Sequence, residues 1–257
     1  VIALVNVVVV TGMLVVVPLG LRLVDVPEVV RRLWLVGAAA GAVSLWLPRG
    51  PAAVLPALVY ALGAVPPALL ALPRLRRVTP VRVAVATALA SPAVAATALV
   101  AERGGAELFG FSLTILSLTV AHFHFAGFAA ALVAGLVARG EPGRATMVAA
   151  LAVPAGTLLV LVGYFLGEWV EFAGAVVLTC GMWTVAAVLV RGGPLAVVAG
   201  GVLGATMLLA LSWALGEATG LPHPSLGWMV ATHGVGNAFG FGVCGMLAWH
   251  RLKEESL

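Results

Sequence analysis

Nine apolar stretches, divided by short loops, leave this chain little choice of solvent. They fall near residues 1–21, 33–47, 51–73, 83–101, 108–138, 145–166, 169–190, 194–216 and 225–249, with charges and Pro/Gly clusters marking the breaks. A helix that crosses a bilayer needs about 20 mainly apolar residues, and in hydrocarbon its backbone polar groups must be satisfied inside the segment. The expected fold is therefore all-α: a polytopic membrane helix bundle of about nine transmembrane helices, a single transmembrane domain over residues 1–257. Composition agrees, with 62% hydrophobic and only 9% charged residues, where a soluble domain carries about 25% charged. The first stretch is longer than a signal-peptide core and reads as a span. The second is the shortest, and reaches full length by starting near Val29 and letting Arg31 and Arg32 snorkel to the interface.

Charge supplies a second, independent signal. If the nine spans alternate in direction, one side of the membrane receives Arg22, Arg31, Arg32, Arg74, Arg76, Arg77, Arg82, Arg139, Arg144, Arg191, Arg251 and Lys253, and the other only Arg49 and Arg103. This asymmetry predicts an outside N-terminus and a cytoplasmic C-terminus. The sequence pI near 9.8 therefore reports orientation, and the scattered loop positions of the basic residues argue against nucleic-acid binding. The partner implied is the lipid bilayer, with a membrane-protein partner or a homo-oligomer left open. Outer-side carboxylates Glu102, Glu107, Glu168, Glu171 and Glu217 read as solvated loop charges. Cys180 and Cys244 fall in apolar segments and read as buried, inert thiols. Pro66, Pro67, Pro92 and Pro154 lie inside spans and are expected to kink them.

Polar side chains deep in hydrocarbon are costly and are functional candidates by default. No Asp, Glu or Lys lies near the middle of any stretch, and the single lysine is Lys253 in the tail. A retinal Schiff base is thereby excluded, and a carboxylate-relay pump or a carboxylate-bridged di-iron site is disfavoured. Histidine remains. His122 and His124 lie in the uncharged run between Glu107 and Arg139, and residues two apart on a helix are separated by about 200°, so the two rings address different sides. In the ninth stretch His233 and Asn237 are four apart and share a face. Both stretches run from outside to inside, which places His122 and His233 within about 10 Å of a common depth. Thr119 and Thr232 are available as hydrogen-bond partners. Gly234, Gly236, Gly240 and Gly242 leave room for a planar group or another helix. His223, between prolines in an outer loop, is placed to cover an external mouth or to serve as a plain loop residue, and His250 reads as an interfacial anchor.

Three readings of this constellation stay open. His122, His124 and His233 could hold haem b or a transition metal in a redox, sensing or carrier role, because neutral imidazole is the commonest metal ligand. The histidines and Asn237 could instead bind a small substrate or ion in a transporter or channel. Finally, the chain could be a non-catalytic structural subunit of a membrane complex.

At Ala121-His-Phe-His-Phe-Ala-Gly-Phe128 and Thr232-His-Gly-Val-Gly-Asn-Ala-Phe-Gly-Phe241 the sequence resembles the YndJ-like family of bacterial integral membrane proteins. The resemblance implies a multi-pass protein of the bacterial inner (cytoplasmic) membrane and a transporter-like label, without a mechanism. A second, local likeness is to the catalytic subunits of haem-copper oxidases. Val120-Ala-His-Phe-His-Phe125 is similar to the helix in which two histidines ligate two haems, and Ala231-Thr-His-Gly234 to the helix giving the opposite low-spin ligand. That likeness implies His124 and His233 as low-spin haem ligands and His122 as the high-spin ligand. The order of the two helices is reversed here, and counterparts of the copper-binding histidines and the cross-linked tyrosine segment are missing.

Overall fold

The computed structural model describes residues 1–255, and among them every regular element is helical. Nine long helices follow one another: α1 (Ile2–Leu23), α2 (Glu28–Ser44), α3 (Pro51–Arg76), α4 (Pro80–Gly104), α5 (Leu113–Gly140), α6 (Arg144–Leu166), α7 (Glu168–Leu189), α8 (Pro194–Thr219) and α9 (226–255). Seven of these, all but α2 and α9, are long and apolar enough to cross a membrane. The two exceptions have physical causes. α2 is 17 residues long, and the apolar part of α9 is diluted by His233, Asn237 and several glycines.

Short connections make consecutive helices pack side by side. The tightest is Gly167 alone between α6 and α7, at φ +119°, which a side chain would strain. α1 also packs against α9, and α5 runs through the middle, touching α1, α4, α6, α7 and α9. Its position shows in its burial: 78% of its apolar window is enclosed, against 33–56% in the other six. The rim helices turn large apolar side chains outward, as in the Leu55, Leu62 and Leu69 stripe of α3. Such a surface suits lipid and not water.

Charged side chains tie helix ends together. At one end Arg74 donates to the Asp25 carbonyl (3.1 Å), Arg191 pairs with Glu141 (2.6 Å) and Lys253 donates to the Arg22 carbonyl (3.2 Å). At the other end the charges are fewer, and one group is buried. Glu102, expected as a solvated loop charge, is only 1% exposed, held between Arg49 (2.8 Å) and Arg103. Arg103 also donates to the carbonyls of Ser44 and Leu45, which closes the C-terminus of α2 onto α4. The cause is the end of α2: its last carbonyls need donors, and a guanidinium that reaches them must bring its counter-ion inside. Cys180 is likewise a correction, since it lies exposed on α7, while Cys244 is half-buried.

The helices carrying Pro66, Pro67, Pro92 and Pro154 continue through them. The wider π turns fall elsewhere, at Gly12–Val16 in α1, Phe123–Ala130 in α5, and Val230–Gly234 and Gly236–Val243 in α9. Such turns gather at functional sites, and here they occupy three helices that meet.

Removing the carboxylate with Glu102→Ala would strand Arg103 and is expected to cost about 3–5 kcal/mol. Arg49→Ala, at a 41% exposed side chain, should cost under about 1 kcal/mol. Thermal unfolding of the detergent-solubilised protein would rank the two. Gly156→Val is expected to lower the midpoint as well, by about 1–3 kcal/mol of overpacking, because a Cβ there meets the Leu178 Cα at 2.6 Å and forces α6 from α7.

Candidate functional site

His122 and His124 diverge as their spacing requires. His124 is fully buried. Its Nδ1 lies 2.7 Å from the Val120 carbonyl, which can only accept, so Nδ1 carries the proton and Nε2 accepts from the Tyr60 hydroxyl of α3 at 2.9 Å. Trp34 of α2 packs edge-on to Tyr60 and donates Nε1–H to the Met13 carbonyl inside the π turn of α1 (2.9 Å). Gly12 in that turn is needed: a Cβ on it would meet the His124 Cβ at 2.7 Å. His124 thus ties together α1, α3 and α5, and both its nitrogens have protein partners.

His122 differs. Its Nε2 is one of three buried side-chain atoms without a hydrogen-bond partner among the described residues, the others being Thr179 Oγ1 and Trp249 Nε1. Of these, His122 lies on α5, which packs against α9, the helix that carries His233. By position, His122 lies nine residues into α5 and His233 seven into α9, a difference of depth of about 3 Å.

His233 belongs to a network between α8 and α9. Its Nδ1–H donates to the Thr206 carbonyl at 2.8 Å, and its Nε2 accepts from Asn237 Nδ2 at 3.2 Å. The Asn237 Oδ1 accepts from the Thr206 hydroxyl at 2.8 Å. The partner is therefore Thr206, which the sequence reading did not identify. Thr119 and Thr232 instead bond back to the carbonyls of Ile115 and Trp228 in their own helices. His223 stands apart, with its Cβ against Gly216, its ring edge-on to Trp213 and Nε2 3.1 Å from Glu217. His250 donates to the Leu19 carbonyl at the other end of the bundle (3.0 Å).

The candidate site therefore gathers His122 of α5 with His233, Asn237 and Thr206 of the α8–α9 network, groups that offer imidazole nitrogens and an amide, with His122, His233 and Asn237 half-buried and Thr206 buried. Among the described residues no group of three or more His, Cys, Asp or Glu side chains is placed to hold a metal ion. A haem fits the arrangement poorly. Of the glycines expected to leave a slot, Gly236 and Gly240 press on Val202 and Thr206 of α8, and Gly242 on Phe125 of α5. They serve helix packing. His124, the ligand implied by the oxidase likeness, would also have to give up Tyr60.

Tyr60→Phe removes the donor to a buried His124 nitrogen and is expected to cost about 1–3 kcal/mol of stability, read as a lowered unfolding midpoint. A change near zero would show that the Tyr60 bond does not form.

Comparison with curated proteins and with solved structures returned no match. The family model described as YndJ-like protein matches residues 7–241, a span that holds all four site residues and both histidine segments. The chain belongs to the YndJ-like family.

Proposed function

We propose that this YndJ-like protein crosses the bacterial inner membrane nine times, N-terminus outside, and moves or admits a small ion at the His122–His233–Asn237 site. The observation that carries the reading is the buried, unpartnered Nε2 of His122, on a helix that packs against the one carrying the hydrogen-bonded His233. A buried polar atom left without a partner costs about 1–3 kcal/mol, and a ligand that binds there recovers it. With no carboxylate at the site, the ions suited to it are those that neutral imidazole takes up, the proton and a divalent transition metal. Asn237 and Thr206 hold the His233 tautomer so that its Nε2 lone pair is available once the amide moves aside.

A transition metal held as a resident cofactor is the second reading, favoured by the same pair of imidazoles. His122 and His233 would then be two ligands and Asn237 a third, and the metal would supply Lewis-acid or redox chemistry. His124 has no part in it.

Proteoliposomes loaded with a pH dye or a zinc-sensitive dye separate these readings. Flux of one ion, lowered about tenfold or more in His122→Gln and His233→Gln and unchanged in Tyr60→Phe, is the expected result, tenfold being about 1.4 kcal/mol. Silent dyes with monodisperse protein, or unaffected histidine variants, would contradict the ion-moving role. Elemental analysis of the purified chain tests resident metal. Cysteine placed at position 223 should label from outside and at position 253 from inside, and the reverse would overturn the orientation.

A further inference from the structure

Where α1, α2 and α9 end together, the bundle opens a cavity of about 440 Å³ lined by Arg22, Glu28, Arg31, His250, Lys253 and Glu254. These residues come from opposite ends of the chain, and specific bonds bring them together. His250 Nε2–H donates to the Leu19 carbonyl and Lys253 to the Arg22 carbonyl, so the end of α9 caps the C-terminus of α1. Capping fixes where the cations stand.

The charge of the cavity decides what it takes. Glu28 is engaged twice, by Arg31 (2.5 Å) and by Arg32 (3.0 Å), which leaves it little field to offer a cation. Of the lining cations, Arg22 and Arg31 are the two that face the cavity from α1 and α2, and Glu28 is already engaged by Arg31 and Arg32. Glu28 occupies Nε and Nη2 of Arg31, and a guanidinium has further N–H donors in the forked geometry that matches a phosphate. The volume falls in the range of small-molecule sites, about 300–1,000 Å³, more than a bare phosphate fills. Its level matters too: Arg22 sits in the last turn of α1 and Arg31 in the opening turn of α2, where a span meets the headgroup layer. Basic pockets between helix ends on the cytoplasmic side suit anionic headgroups.

We infer that this cavity binds a phosphate-bearing anion, the headgroup of an anionic phospholipid seated between the ends of α1, α2 and α9. The inference takes the orientation proposed above, but its test does not depend on ion movement at the histidine site.

Native mass spectrometry of the full chain, released from detergent, would follow titration with phosphatidylglycerol, phosphatidylcholine or inorganic phosphate. The expected result is one tightly held phosphatidylglycerol, no comparable retention of phosphatidylcholine, and affinity weakened about tenfold in Arg22→Gln/Arg31→Gln. Arg144→Gln, a cation at the same end but outside the cavity, should behave as wild type. If inorganic phosphate saturates the same residues while phosphatidylglycerol does not, free phosphate is the source and the anion site stands. Equal phosphatidylglycerol retention in the double variant, or an equal loss in Arg144→Gln, would mean diffuse surface charge and overturn the site. Should the double variant fail to give monodisperse protein, Arg22→Gln alone spares the Glu28 pair and should still weaken binding about threefold; no change there would overturn the site equally.

Discussion

Hydrocarbon supplies no hydrogen bonds, so each polar group carried into this bundle needs a partner from the chain or bears the cost of lacking one. Most find partners close by. Thr11, Ser91, Ser117, Thr119, Thr184 and Thr232 bond to carbonyls one turn back. Others reach across helices: Asn6 to the Leu45 carbonyl, Trp34 to Met13, and Arg103 to the end of α2. These long bonds determine which helices lie together. His124 is the strongest case, because its two partners leave one tautomer and one position for Tyr60.

Against that background His122 stands out by what it lacks. Two histidines two residues apart, in one helix, have been given opposite roles by geometry: one locked between α1 and α3, the other left with an unpartnered nitrogen. The π turns in α1, α5 and α9 belong to the same arrangement. They bring Gly12 against His124 and Gly242 against Phe125, so backbones approach where the polar side chains sit.

Much of this was legible in the sequence. Segment lengths predicted the helices to within a few residues. The divergence of His122 and His124 followed from helical pitch, and the His233–Asn237 pair from the four-residue spacing. What escaped the sequence is long-range pairing. Thr206 is an ordinary threonine in an apolar run until α8 meets α9. Tyr60 is one of two tyrosines, and its place in mid-span was the one clue that it needs a buried acceptor. Glu102 reads as solvated because nothing local reveals that α2 ends beside it and Arg103. The glycines of α9 suggest open space by sequence alone, and only the positions of Val202 and Phe125 assign Gly236, Gly240 and Gly242 to packing, while Gly234 stays clear of neighbouring helices.

The central claim is that the histidines of α5 and α9 divide into a structural one, His124, and a site pair, His122 and His233, in which the His122 Nε2 has no protein partner. NMR of the protein in lipid, with isotope-labelled histidine ring nitrogens assigned by single substitutions, tests it directly under titration with acid and with zinc. The account predicts that the His122 and His233 resonances respond while those of His124 keep the pattern of a ring with Nδ1 protonated and Nε2 hydrogen-bonded. A response at His124, with His122 unmoved, would contradict it.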